Sequence, residues 1–83
     1  MDKLINAGYG NCINSGKVIS VVSIDSAPSK RLVSMAKDAG KAIDATQGRK
    51  TKSVIVMDDG YVVLSALVPD TIAIRFNDNI KQI

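Results

Sequence analysis

Three cations crowd into four positions near the middle of the chain, directly after a glycine. Residues 48–52 read GRKTK, and the strand-like run SVIVM follows at once. Guanidinium and ammonium groups at this density bind anions, above all nucleic-acid phosphates, whose neutralisation releases counterions. The spacing therefore predicts a phosphate-binding site formed by Arg49, Lys50 and Lys52. We call residues 46–52 the basic turn.

Charge is unevenly distributed along the 83 residues. The net charge is +3, but residues 1–54 carry nine Lys or Arg and four Asp, whereas residues 55–83 carry two and four. Such asymmetry indicates an anionic partner on one side of the protein, and double-stranded DNA is the first candidate. The alternative is ordinary solvated charge. The basic back of the first helix, formed by Lys30, Lys37 and Lys41, either extends the cationic surface or is solvated in the same way.

Few residues of this chain could act in catalysis or bind a cofactor. There is no histidine to act as a base, and the single cysteine, Cys12, cannot form an internal disulfide or a metal cage. The glycine-rich stretch at 8–18 fails both nucleotide-binding fingerprints, because Ile13 and Val18 stand where glycine and a hydroxyl are needed. We expect no enzyme activity, catalytic residue, metal, cofactor or small-molecule substrate, and a structural role for Asp44 beside the basic turn.

Apolar periodicity predicts a small mixed α+β domain, a sheet with two helices in the order ββαβββα. Both faces of the last two strands are apolar, so a helix must cover one face and a second helix or another subunit the other. Leu32, Met35, Ala36 and Ala39 are expected on the core side of the first helix. The expected strands are 3–6, 17–24, 42–45, 52–57 and 61–66, and the expected helices are 27–39 and one from Pro69.

Length and composition predict one domain over residues 1–83, with a C-terminal tail that frays from about residue 77. A core of this size with one Phe, two Tyr and no Trp is thin, which favours self-association. The N-terminus lacks a secretory pattern, and no apolar run approaches the roughly 20 residues that span a bilayer. We therefore expect a cytoplasmic protein with no membrane partner.

Several motifs in order resemble the RemA-like extracellular matrix regulatory proteins. They are LINAGYGN at 4–11, SAPSKR at 26–31, DATQGRKT at 44–51 and LSA at 64–66, and the resemblance spans about residues 4–75 without a gap. It implies a small bacterial DNA-binding transcription regulator, best known for activating biofilm matrix genes. It also implies a homo-oligomer, a ring assembled through the N-terminal region with DNA at its outer rim.

The resemblance also assigns roles to individual residues. Arg49 and Lys50 would contact DNA, with Lys17 as a further cation before the second predicted strand. Pro28 would matter for the architecture of the protein and would not contact DNA. From their residue type alone, Gly8, Gly10 and Gly48 are expected to form turns, and the first two to pack against a neighbouring subunit rather than to bind phosphate.

Two other functions remain open at this stage. One is a self-assembling structural or architectural protein without sequence-specific DNA binding, whose basic rim binds another protein or an anionic polymer. The other is RNA binding, which the chain disfavours because Tyr9, Tyr61 and Phe76 are its only aromatic residues available for base stacking.

Overall fold

The computed structural model describes the backbone of residues 3–81 and the side chains of residues 3–77. It confirms the α+β class, with two helices, a four-stranded mixed sheet and a separate two-stranded hairpin. The strands are β1 (Leu4–Asn6), β2 (Cys12–Asn14), β3 (Val18–Ser23), β4 (Ala42–Asp44), β5 (Ser53–Met57) and β6 (Val62–Ser65), and the helices are α1 (Ala27–Asp38) and α2 (Pro69–Lys81).

The short strand β2 is an addition to the predicted order, formed because the chain reverses after β1 and pairs with it. The backbone of α2 continues to Lys81, and residues 82–83 lie outside the described part of the chain. The predicted fraying of residues 77–83 therefore stays a prediction. Within residues 3–81, neither helix is long and apolar enough to cross a bilayer.

The main sheet has the strand order β3-β5-β6-β4. β5 pairs antiparallel with both neighbours, and β4 joins β6 in parallel because α1 carries the chain across the sheet. As expected, both faces of β5 and β6 are covered, each by a helix. The α1 face buries Val33, Ala36, Val54, Val62 and Leu64; the α2 face, shared with the hairpin, buries Ile5, Ala7, Ile13, Ala45, Ile55, Val63 and Ile72.

Helix α1 begins as its sequence predicts. The Ser26 hydroxyl accepts a hydrogen bond from the Ser29 amide at 3.2 Å, and Pro28 occupies the first turn, where a missing N–H costs little. Capping fixes where the helix starts, and therefore which residues meet the sheet.

The predicted inward stripe of α1 is wrong in two positions. Met35 is 64 % exposed and Ala39 is exposed. The buried line instead runs through Ser29, Val33 and Ala36, at helical spacings of four and three residues. The helix is rotated so that this narrower line of small side chains meets the sheet.

Ser65 ties the hairpin to the end of β6. Its buried hydroxyl donates to the Ala7 carbonyl at 2.7 Å and accepts from the Leu67 amide at 3.1 Å. Replacing Ser65 by Ala leaves the Ala7 carbonyl without a partner, and we expect a loss of about 1–3 kcal/mol in unfolding free energy. Urea denaturation measures this loss.

Ser34→Ala is the matched control for Ser65→Ala. Ser34 is exposed on α1, where alanine is the better helix former, so we expect no loss or a gain of a few tenths of a kcal/mol. Equal stabilities of the two variants would show that the Ser65 bonds contribute nothing.

Candidate nucleic-acid interface

The basic turn is a tight reversal directly after β4. The Arg49 amide donates to the Thr46 carbonyl at 3.0 Å, and the two central residues, Gln47 and Gly48, have φ values of 54° and 76°. Positive φ at both positions is the pattern of a type I′ turn. Glycine fits it freely, whereas the non-glycine Gln47 is held there at a cost of about 1–2 kcal/mol.

Asp44 organises this turn, as the sequence predicts. Its Oδ1 accepts hydrogen bonds from both the amide and the hydroxyl of Thr46, the former at 2.8 Å. The Thr46 side-chain hydrogen bond, followed by its backbone hydrogen bond and the nearby charge of Lys37, lowers the pKa of Asp44 below its ordinary value. The carboxylate therefore anchors the start of the turn through Thr46.

The lowered pKa of Asp44 makes folding stability depend on pH. The bonds to Thr46 favour the carboxylate in the folded state, so this contribution is complete above the unfolded pKa, near pH 4, and is lost as pH falls through the lower folded pKa. Asp44→Asn should remove that component. The difference in Tm between wild type and Asp44→Asn is therefore expected to shrink below pH 4, and a difference constant from pH 7 to pH 2 would contradict it.

A second turn, between β1 and β2, repeats this construction. The Asn11 amide donates to the Gly8 carbonyl at 3.0 Å, and Tyr9 and Gly10 have φ values of 54° and 79°. The Asn6 side chain accepts from the Gly8 amide at 2.7 Å, as Asp44 accepts from its own second neighbour. We call residues 8–11 the N-terminal turn.

The shared construction reflects a shared sequence pattern that the sequence analysis missed. Residues 5–11 read INAGYGN and residues 43–49 read IDATQGR. In both, an Asx side chain ends a strand, a buried alanine follows, and a glycine provides the second positive φ. The spacing Ile-Asn/Asp-Ala-x-x-Gly was the available signal, and it makes Tyr9 the counterpart of Gln47.

Both turns are fastened to the end of β6. The Ala45 amide donates to the Leu64 carbonyl at 2.9 Å, and the Lys52 amide donates to the Ser65 carbonyl at 2.8 Å. The Ser65 hydroxyl meanwhile holds Ala7, which precedes the N-terminal turn. The two turns therefore lie side by side at one end of the molecule.

The three cations of the basic turn are exposed at this end. Among residues 3–77, no side chain of Arg49, Lys50 or Lys52 forms an ion pair with a carboxylate. Lys50 and Lys52 line two depressions. One, of about 270 Å³, is lined by Tyr9, Arg49, Lys50, Lys52 and Ala66; the other, of about 240 Å³, extends to Asp25 and the start of α2.

Lys17, the fourth predicted contact, lies elsewhere. Its carbonyl accepts from the Asp58 amide at 2.8 Å, and the adjacent residue of β3 pairs with Met57 at the far end of β5. Lys52 precedes the near end of the same strand, so the two lysines are separated by the length of β5, roughly 17 Å. One subunit therefore carries two separate cationic positions rather than one cluster.

The glycines that were expected to form turns lie in turns. Gly8, Gly10 and Gly48 all have positive φ, and a side chain at Gly8 would also lie against Leu67. Pro28 is exposed in the first turn of α1, away from the buried line of that helix. Contacts of Gly8, Gly10 or Pro28 with a neighbouring subunit stay predictions.

The fold and site define a small α+β protein with paired tight turns and a cationic rim. Residues 4–76 match the family described as RemA-like, extracellular matrix regulatory protein A-like, and the chain belongs to this family.

Similar proteins carry the name "Putative regulatory protein". One from Lachnoclostridium phytofermentans is 58 % identical over 77 residues, which are 93 % of this chain and 85 % of that protein. Another, from Carboxydothermus hydrogenoformans, is 50 % identical over 80 residues, 96 % and 92 % of the two chains. A third, from Dictyoglomus turgidum, is 51 % identical over 80 residues, 96 % and 94 % of the two chains. These names describe regulatory proteins rather than enzymes.

Proposed function

We propose that this protein is a regulator that binds double-stranded DNA as a homo-oligomer, with the basic turn on the DNA backbone. The observation that carries the proposal is the exposure of Arg49, Lys50 and Lys52 at one rim without carboxylate partners among residues 3–77. Cations that no carboxylate neutralises are available to phosphate. Family membership and the names of similar proteins support a regulatory role.

Simple salt arithmetic explains why one subunit is not enough. Three phosphate contacts per subunit give a slope of about −2.7 in log affinity against log salt, so a rise from 50 to 200 mM costs roughly 40-fold. Two linked subunits would make about six contacts and lose roughly 10³-fold over the same range. Useful affinity at cellular salt therefore requires several copies on one DNA.

The surface supports assembly of several copies. Large apolar side chains are exposed on β1, β3, β4 and α2, among them Leu4, Ile19, Ile43 and Ile74. A monomer of this size gains stability when such groups are covered by another copy. Lys17 lies at the opposite end of the sheet from the basic turn, so neighbouring copies could extend a cationic path along the DNA.

The chemistry of the cations favours the DNA backbone over base edges. Two of the three cations in the basic turn are lysines, which act as point charges, whereas the planar fork of arginine is better suited to bidentate recognition of a guanine edge. Specificity would then come from the bending of DNA along a curved assembly, which depends on sequence without base contacts. Regulation of the extracellular matrix is the role that the family description suggests.

Fluorescence anisotropy across a salt series tests the proposal. A labelled duplex, an unrelated duplex and a structured RNA are compared, with the assembly mass measured by light scattering. We expect an oligomer that prefers duplex DNA with a slope steeper than −2.7. Absence of binding to any duplex at low salt would overturn the proposal.

The same experiment separates the alternative, a self-assembling architectural protein. The exposed apolar side chains favour assembly whether or not DNA is read specifically. Equal affinity for unrelated duplexes would favour architecture, and an oligomer without nucleic-acid affinity would favour a purely structural role.

A further inference from the structure

The N-terminal turn carries an aromatic side chain that its backbone does not require. Tyr9 has a φ of 54°, a conformation unfavourable for a bulky side chain. Its counterpart in the basic turn, Gln47, has the same φ without a ring, so a turn of this construction forms without an aromatic residue. The ring is therefore to be explained by what it contacts.

The Tyr9 ring contacts Arg49 of the basic turn. The guanidinium carbon lies 5.8 Å from the ring centroid, within the range of cation–π attraction. Asn11, the counterpart of Arg49, instead folds back on its own turn and donates to the Gly8 carbonyl at 2.9 Å. The side chain of Arg49 thus reaches across from one turn to the other.

The contact lies where a ligand can reach it. Tyr9 is 50 % exposed, and both Tyr9 and Arg49 line the depression of about 270 Å³ beside Lys50 and Lys52. Within residues 3–77, neither lysine has an aromatic neighbour of this kind. Arg49 is therefore the cation of this rim whose direction is restricted before any ligand arrives.

We propose that Tyr9 is a positioning residue that holds the Arg49 guanidinium over this depression, so that its planar fork meets a DNA phosphate in one orientation. This inference rests on the proposed DNA-binding function. A free arginine loses side-chain entropy when it binds, and a ring that restricts Arg49 beforehand reduces that loss. The N-terminal turn then contributes to DNA binding through Arg49 of the basic turn.

The expected gain in DNA affinity from each Tyr9–Arg49 contact is modest, but the gains of several subunits multiply in an assembly. An exposed cation–π contact corresponds to about 2- to 5-fold in affinity. Because the contributions of linked subunits multiply, two subunits on one duplex would show an effect of about 4- to 25-fold. An oligomer therefore makes a weak local contact measurable.

A double-mutant cycle on DNA affinity tests the inference. Tyr9→Gly removes the ring and suits the positive φ, so we expect its Tm to stay level or rise while affinity falls 2- to 5-fold per engaged subunit. Gln47→Gly relaxes the same backbone position in the other turn and is the matched control for Tm. Tyr9→Phe restores the ring and is expected to rescue binding.

The decisive measurement is Tyr9→Gly in the Arg49→Ala background, where we expect no further loss of affinity. A loss of the same size there would overturn the inference, because Tyr9 would then act without Arg49. Failure of Tyr9→Phe to rescue binding would also overturn it, since the hydroxyl would be the contact.

A readout without DNA separates positioning from a structural role. 15N relaxation of Arg49 Nε is expected to show faster motion in Tyr9→Gly than in Tyr9→Phe, and equal motion would contradict positioning. Wild type that fails to bind DNA would overturn the proposed function and this inference together. Wild type that binds while Tyr9→Gly matches it would overturn only the inference.

Discussion

Alanine at both Arg49 and Lys50 is expected to reduce DNA affinity about 60-fold per bound subunit at 0.1 M salt. Each phosphate contact contributes roughly a factor of eight at this concentration relative to 1 M salt, and the double variant loses two contacts. The salt slope should become shallower by about 1.8 for each engaged subunit. Fluorescence anisotropy across a salt series, with the assembly mass checked by light scattering, measures both quantities.

The matched control removes the same charge from the back of α1. Lys30 and Lys37 are exposed there, and Lys30→Ala/Lys37→Ala changes net charge equally while Arg49, Lys50 and Lys52 stay in place. We expect a small loss of DNA affinity and a nearly unchanged slope of log affinity against log salt. If this variant loses affinity instead while Arg49→Ala/Lys50→Ala binds normally, the DNA contact lies on α1 and the basic turn is only a surface turn.

Replacing Ile55 by Ala is expected to cost about 2–5 kcal/mol of unfolding free energy. Ile55 is fully buried in the central strand β5, where it belongs to the cluster that joins the sheet to α2 and the hairpin. The total unfolding free energy of an 83-residue domain is roughly 4–12 kcal/mol. Urea denaturation at a fixed protein concentration measures the change, because assembly makes stability concentration-dependent.

The same substitution at Ile19 is the control. A bulge between Val18 and Ser20 turns Ile19 outward, where it is 65 % exposed, so Ile19→Ala removes little buried surface. At protein concentrations low enough to keep the chain monomeric, we expect a change within about 0.5 kcal/mol. An equal loss in both variants at every protein concentration would contradict the burial described for β5.

Much of the fold follows from local sequence physics. The Val- and Ile-rich runs determine β3, β5 and β6, Asp59-Gly60 determines the hairpin between the last two, and Ser26 with Pro28 determines the start of α1. Local rules could not set the rotation of α1, because Met35 and Val33 are both apolar and only contact with the sheet selects Val33. For the same reason the outward turn of Ile19 follows from pairing with β5, not from its own sequence.

The features of the candidate site likewise fall into those set by the local sequence and those set by the tertiary structure. The sequence by itself determined the density of positive charge at Arg49, Lys50 and Lys52, because charge depends on residue type alone. It also determined the tight turn at Gly48, because positive φ is a local property of glycine. Only the tertiary structure decided that Tyr9 lies beside Arg49 and that Lys17 lies at the other end of β5. Those distances arise from strand pairing between segments far apart in the chain, which no local pattern encodes.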